Sequence, residues 1–186
     1  MLAVAVSDPP LQDPVQTGRL TLRRYQPTDV DPLLSYYGRA EVCRYLLHKP
    51  WSRPDAREAV SERINRTGWA AGAIALVVER DATVIGNLSA WKLAGTHYSA
   101  EISWVFSPDF SGHGYATEAS LALLDLVLSW PDVQTVTAQM DARNTASARL
   151  AERIGMRLDA HLTHHLRVKG EWTDTLVFAA RRTGCS

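Results

Sequence analysis

The stretch Ser111-Gly112-His113-Gly114-Tyr115-Ala116-Thr117-Glu118-Ala119 decides how this chain is read. It lies between a strand-like run, Ala100-Glu101-Ile102-Ser103-Trp104-Val105-Phe106, and a helix-like run from Ala119 to Trp130. A glycine-rich turn that joins a strand to a helix leaves backbone N–H groups pointing at open space, with the positive end of the helix behind them. That is a seat for a phosphate or pyrophosphate. The sequence therefore predicts a phosphorylated cofactor held by Ser111, Gly112, His113, Gly114, Tyr115, Ala116 and Thr117.

Elements can be read outward from this turn. Arg19 to Tyr25 reads as a first strand. Helical segments follow at Asp29–Tyr37 and Glu41–Leu47. A third helix opens at Ser52-Arg53-Pro54, with Ser52 as its cap and Pro54 in its first turn, and runs to Arg66. Ala73–Glu79 and Thr83–Trp91 are strand-like, with Arg80-Asp81-Ala82 between them as a hairpin turn. Tyr98–Phe106 continues the sheet. The helix after the glycine turn shows Leu121, Leu124 and Leu128 on one side, and Pro131 stops it. Val133–Met140 alternates as a strand. Asn144–Ile154 is a second amphipathic helix, with Ala148, Leu150, Ala151 and Ile154 inward and Gly155 as its stop. Met156–Val168 and Thr173–Ala180 are closing strands joined at Lys169-Gly170-Glu171. Hairpins mixed with strand–helix–strand crossovers imply an α/β fold, a mixed sheet with helices on its faces.

The bulk numbers narrow the function. In 186 residues there are 20 Lys+Arg and 20 Asp+Glu, a formal net charge of +0, which argues against broad nucleic-acid binding. The two cysteines, Cys43 and Cys185, have no metal or redox spacing, so a reduced, cytoplasmic compartment is expected. Met1-Leu2-Ala3-Val4-Ala5-Val6 is apolar but short and runs into Ser7-Asp8-Pro9-Pro10, so residues 1–14 are expected to be a flexible tail rather than a signal peptide. No apolar run approaches the ~20 residues that cross a bilayer.

Two phosphate binders can be compared with the turn directly. A P-loop needs Gly, four residues, then Gly-Lys-Ser/Thr, and the chain has no such run. A dinucleotide fingerprint, Gly-x-Gly-x-x-Gly/Ala, fits Gly112 and Gly114 but meets Thr117 at its third position. Asp141 could imitate its ribose-binding acid, but the turn comes after four strands rather than at the first strand of a βαβ unit.

Coenzyme A is the third class, and here the chain resembles a family. Ser111-Gly112-His113-Gly114-Tyr115-Ala116 is similar to the acyl-CoA pyrophosphate loop of the GNAT acetyltransferase superfamily, with Ser111 in place of its Gln or Arg and His113 where Lys or Arg is common. More narrowly, the chain resembles the RimJ/RimL type, the ribosomal-protein N-terminal acetyltransferases and their relatives. Thr17-Gly18-Arg19-Leu20-Thr21-Leu22-Arg23 resembles that type's opening strand, and Val84-Ile85-Gly86 its Ile-Gly strand. Ala100-Glu101-Ile102-Ser103-Trp104-Val105, Gly114-Tyr115-Ala116-Thr117-Glu118-Ala119, Asn144-Thr145-Ala146-Ser147, Gly155-Met156 and Trp172-Thr173-Asp174 follow in the family's order.

The resemblance implies a single GNAT domain over residues 15–186, with a mostly antiparallel twisted sheet of six to seven strands flanked by helices on both faces. It implies acetyl transfer from acetyl-CoA to a primary amine by direct attack in a ternary complex, with no metal, nucleic acid or membrane involved. The acceptor would be a protein N-terminus, ribosomal or other, a free amino acid, or another small amine such as a polyamine or an aminoglycoside-like antibiotic, and a homodimer is left open. A splayed strand pair would receive the pantetheine arm at Trp104, Val105 and Phe106, and a backbone N–H near Val105 would face the thioester oxygen. Asn144 and Ser147 would contact the cofactor. The position where many GNAT enzymes carry a proton-donating Tyr is Ala151, which leaves Ser147 as the hydroxyl for the leaving thiolate. Glu101 is the nearest strand carboxylate for the amine's proton. Glu118 reads as a first-turn structural acid.

Other residues carry weaker signals. Trp91 and Trp172 are candidate acceptor-cleft residues, whereas Trp51 and Trp69 read as packing. His164 and His165, adjacent on a strand, should face opposite ways and share no metal. His97 and His161 are lone histidines, and Arg63, Arg66, Arg80 and Arg181 look like solvated charges. The segment Tyr36–Arg66 holds more Arg and Lys than Asp and Glu, which disfavours a polycationic antibiotic as acceptor. A rival from another class is a non-catalytic acyl-CoA sensor on the same fold.

Overall fold

The computed structural model describes residues 13–182, except 69, 94–97 and 131. Of the expected tail, only Asp13 and Pro14 fall among the described residues. Trp69, His97, Pro131 and Cys185 lie outside them. Among the described residues, nine strands and five α-helices carry the architecture. The strands are β1 (Val15–Gln16), β2 (Thr21–Arg24), β3 (Thr67–Gly68), β4 (Ala73–Arg80), β5 (Thr83–Lys92), β6 (Ser99–Phe106), β7 (Thr135–Asp141), β8 (Arg157–Val168) and β9 (Glu171–Arg181). The helices are α1 (Val30–Tyr37), α2 (Ala40–Cys43), α3 (Arg53–Ile64), α4 (Tyr115–Ser129) and α5 (Thr145–Arg153).

The sheet runs in the order β1-β2-β4-β5-β6-β7-β9-β8, with β3 on β4. Every pairing is antiparallel except β6 with β7, which is parallel and bridged by the α4 crossover. One core joins Leu76, Leu88 and Ile102 of the sheet to Leu123 of α4 and Leu150 of α5. A second core, on the other face, joins Ala75 and Val77 to Leu33 and Tyr36 of α1 and Val60 of α3. The expected mixed, mostly antiparallel sheet with helices on both faces is the one observed. The strand count rises from six or seven to nine; β1 and β3, which were not expected, are two residues each.

Local chemistry explains the boundaries. Ser52 caps α3: its N–H donates to Asp55 Oδ2 at 2.7 Å, and its hydroxyl accepts from the Asp55 N–H. Asp81 and Ala82, with φ of 49° and 60°, form the two-residue turn between β4 and β5, as Lys169 and Gly170 do between β8 and β9 with φ of 53° and 96°. Gly155, at φ +88°, ends the turn after α5 as expected.

Several elements depart from the sequence reading. The second helix ends at Cys43 instead of Leu47, whose side chain is 73% exposed, and α3 ends at Ile64 instead of Arg66. The helix α4 starts at Tyr115, directly after the left-handed Gly114, not at Ala119. Its buried face is Tyr115, Ala119, Ser120, Leu123, Leu124 and Val127, while Leu121 turns outward. The run Leu121-Ala122-Leu123-Leu124 is apolar all round, so periodicity alone could not choose the face; packing on the sheet does. In β8 a bulge between Leu162 and Leu166, with His164 at φ 48°, breaks the simple alternation assumed for His164 and His165. The His164 N–H donates to Asp174 Oδ1, and the His165 ring meets Thr175 Oγ1.

Gly86 has a packing reason. A Cβ there would come within 2.4 Å of Phe106 Cδ1 and 2.8 Å of Val105 O. Only a bare backbone lets the Phe106 ring lie across β5. Gly86→Ala should therefore lower stability by about 1–3 kcal/mol, read as a fall in the urea midpoint, and should displace Phe106.

Candidate active site

The parallel β6–β7 ladder is short. Its pairs run from Ser99–Thr135 to Glu101–Thr137 and stop. Beyond them β6 stays paired with β5, and β7 with β9. The two central strands part, and a gap opens in the sheet between Trp104–Phe106 and Ala138–Asp141.

Register decides which groups face that gap. Ser107 N–H donates to Ile85 O, and Tyr98 O accepts from the Gln134 and Thr135 N–H groups. With the strict alternation of a strand, Ser103 and Val105 turn their main-chain groups to β5, while Trp104 and Phe106 turn theirs to the gap. The N–H groups near Val105 that face the gap are thus those of Trp104 and Phe106, because Ser107, which shares the parity of Val105, donates to Ile85 of β5.

The glycine turn sits at the wide end of the gap. Gly112 and Gly114 adopt φ of +81° and +78°, conformations that favour glycine. A cavity of ≈ 370 Å³ is lined by Ser111, Gly112, Gly114, Ala116 and Thr117 together with Arg153. Tyr115 also borders it but is 5% exposed and belongs to the core beneath. His113 is not among the residues lining this cavity: its Nδ1 donates to Ser111 O at 2.8 Å, its ring stacks on Tyr115, and its carbonyl accepts from Arg19 Nη1.

Two residues here escaped the sequence reading. Arg153, in the last turn of α5, reaches the loop and donates from Nε to Thr117 Oγ1 at 3.3 Å. Arg19 ties the loop to the start of the sheet: its Nε meets Glu118 Oε2 at 2.7 Å and its guanidinium lies 4.7 Å from the Tyr115 ring centroid. Glu118 also accepts from Thr17 Oγ1 and the Arg19 N–H. Burial would raise its pKa, but the bonds from Thr17 and Arg19 outweigh that and hold the carboxyl low. Glu118 is the structural acid the sequence suggested. No local signal marks Arg19 or Arg153, because each meets the loop through a contact distant in sequence.

A second cavity, ≈ 580 Å³, shares Phe106, Ser111, Gly112, Ala116 and Arg153 with the first and extends to Trp104, Asn144 and Ser147. A third, ≈ 330 Å³, shares Trp104, Asn144 and Ser147 with the second and lies against the α1–α3 side of the sheet. The three form one trough that crosses the sheet at Trp104 and Ser147. There, Trp104 Nε1 donates to Ser147 Oγ at 3.3 Å. Asn144 caps α5, its Oδ1 accepting from the Ser147 N–H at 3.1 Å. Its Nδ2 is the part of the amide left for a ligand. Ala151, the position compared with the family's Tyr, is completely buried.

Glu101 borders none of these three cavities and meets the third only through Gln139. It is half-buried, its Oε2 accepts from Gln139 Nε2 at 2.9 Å, and Gln139 borders the third cavity. Desolvation pushes its pKa up despite that bond. Trp91 also borders the third cavity, but Trp172 is 61% exposed and borders none of the three. The pairing of Trp91 with Trp172 in one cleft is therefore corrected: they lie on different parts of the sheet. Among the described residues no three His, Cys, Asp or Glu side chains gather as a metal site, and no helix is long and apolar enough to cross a membrane.

A family model for an acetyltransferase (GNAT) domain matches residues 19–157. The chain belongs to the GNAT acetyltransferase family. This GNAT enzyme is an acyltransferase, an N-acetyltransferase. It is 26% identical over 165 residues to the uncharacterized N-acetyltransferase YnaD of Bacillus subtilis (strain 168), covering 89% of this chain and 95% of that protein. Its fold matches the spermidine N-acetyltransferase from Vibrio cholerae, solved with CoA and spermine, at a TM-score of 0.75 and 20% identity, over 89% and 97% of the two chains. It also matches RimL, the ribosomal L7/L12 alpha-N-protein acetyltransferase solved with CoA, at a TM-score of 0.79 and 19% identity, over 89% and 95%. The last two likenesses concern the fold of this GNAT enzyme alone.

Proposed function

We propose that this enzyme uses acetyl-CoA to acetylate a primary amine, in a ternary complex and without a covalent enzyme intermediate. The observation that carries the reading is the parting of β6 and β7 at the point where the three cavities meet. A cofactor entering from the glycine turn and an acceptor entering from the α1–α3 side would meet there. The residues fit acetyl-CoA: open backbone N–H groups at the start of α4 for the pyrophosphate, Arg153 beside them, and two unpaired strand edges for an amide-rich arm. The bound cofactor would supply the activated acetyl group. The motif order favours the RimJ/RimL type, and the reading includes a single domain and a cytoplasmic setting.

The chain's own residues divide the work. Trp104 and Phe106 N–H groups stand where a thioester oxygen would gain charge, and preorganised donors there favour the transition state. An alkylammonium with a pKa near ~10 must lose a proton before it attacks. Glu101, raised by its surroundings, is suited to take that proton through water, and it holds Gln139 at the edge of the cleft. Indole N–H is donor-only, so Ser147 Oγ accepts from Trp104 and keeps its own proton to give to the departing sulfur.

The test is to mix the protein with acetyl-CoA and a panel of amines and follow free thiol. Amine-dependent release supports the reading; binding of acetyl-CoA with no release across the panel would favour the sensor instead. Arg153→Gln removes a charged partner worth about 1.5–3 kcal/mol, so acetyl-CoA should bind roughly 10–100-fold more weakly by calorimetry. Unchanged binding would remove Arg153 from the site.

A further inference from the structure

The third cavity, on the α1–α3 side, has an uneven charge. Arg63, Arg66 and His48 border it, and no Asp or Glu does. Other arginines of the chain are divided: some are paired, Arg19, Arg23, Arg39 and Arg143 each meeting a carboxylate at 2.6–2.7 Å, and others are not. Among the described residues Arg63 and Arg66 have no such partner. Arg63 is instead held by rings, with its guanidinium carbon 5.1 Å from the Trp51 centroid, 5.8 Å from Tyr37 and 5.9 Å from Tyr25. Its Nη1 is buried with no hydrogen-bond acceptor. Leaving a buried guanidinium N–H without an acceptor is costly.

We infer that the acceptor carries a carboxylate as well as its amine, and that Arg63 and Arg66 receive it. The inference rests on the amine-acetylating reading and names the substrate class of that same site. A carboxylate is the group that a planar guanidinium fork binds best. Trp91 and Tyr37 offer flat apolar walls, and Asn87 and Ser89 add neutral polar groups along the cleft floor. A polyamine would instead bring a second cation toward two arginines that line the cleft with no acid beside them, the Glu101 carboxylate meeting that cleft only through Gln139, and like charges at close range exclude a ligand effectively. Two sources share the required chemistry: a free α-amino acid and a peptide with an acidic side chain near its N-terminus.

The experiment compares matched amines that differ only in the acid. Phenylalanine is set against phenethylamine, a short peptide amide with glutamate second against one with glutamine second, and spermidine is included. A kcat/KM at least tenfold higher for the acidic member of either pair is expected, and the pair that shows it identifies the source. Arg66→Gln should collapse that ratio toward one, and Arg63→Lys, which keeps the charge inside its ring box, should lower it partially. In parallel, phenylacetate and phenethylamine are titrated into the CoA-bound enzyme by calorimetry, with phenylacetate expected to bind tighter. Equal or weaker phenylacetate binding, or spermidine as the fastest substrate, overturns the inference even if acetyl transfer is robust. Failure to bind acetyl-CoA overturns the enzymatic reading instead, while phenylacetate titrated into the free protein still decides the inference.

Discussion

Gly114→Glu should abolish acetyl-CoA binding while the sheet stays folded. Gly114 is the N-cap of α4 at φ +78° and borders the first cavity. A side chain there pays the left-handed penalty of roughly 1–2 kcal/mol. That corresponds to a Tm drop of a few degrees, which leaves a folded protein to assay. The carboxylate itself would stand at the helix N-terminus where phosphate belongs. At an effective dielectric of ~20 and ~4 Å, two like charges repel by roughly 4 kcal/mol, near a thousandfold in Kd. A Cβ at Gly114 would lie 3.5 Å from Arg19 Nη2, so the new acid would also draw on the cation that braces the loop. Gly114→Ala isolates the backbone cost and should weaken binding far less. Calorimetry with acetyl-CoA separates the two variants, and unchanged affinity of Gly114→Glu would refute the loop assignment.

That prediction could be framed from the sequence because the loop's chemistry is local. Two glycines after a strand and before a helix need no distant partner to be read. The same holds for Ser52 with Asp55, for Asn144 with Ser147, and for Gly155 after α5. Gly86 was legible only as part of a resembling pair; its physical reason, the Phe106 ring lying over it, needs two strands in register. What stayed hidden depends on long-range geometry. Arg19 looks like any strand arginine until Glu118, 99 residues away, is placed beside it. Arg153 reads as a helix-end charge until α5 is set against the glycine turn. Arg63 and Arg66 read as solvated, yet both border a cleft and Arg63 lies among three rings. Which N–H groups near Val105 face the gap could not be read in advance, because strand parity is fixed by the β5 register, which composition does not encode. Trp172 misled because a strand-end tryptophan looks the same in sequence whether it lines a cleft or faces solvent.

Ser147→Ala should lower turnover more than it lowers cofactor affinity. The hydroxyl sits where the second and third cavities join, with Trp104 Nε1 donating to it at 3.3 Å and Asn144 fixing its backbone at 3.1 Å. Accepting from an indole that cannot accept in return orients the hydroxyl proton away from Trp104 and toward the gap. One turn further along the same helix there is no substitute, since Ala151 lies in the core. If Ser147 protonates the leaving sulfur, kcat should fall about 10²-fold, the low end of general acid catalysis, while the Kd for acetyl-CoA changes only about threefold, less than 1 kcal/mol. Trp104→Phe keeps the ring and removes the donor, so it should show a smaller fall in kcat, because Ser147 remains but is no longer held. An acetyl donor whose leaving thiol has a lower pKa needs less help from an acid, and with it the Ser147→Ala defect should shrink. Equal losses in kcat and in acetyl-CoA affinity, unaffected by the leaving thiol, would make Ser147 a binding residue and nothing more.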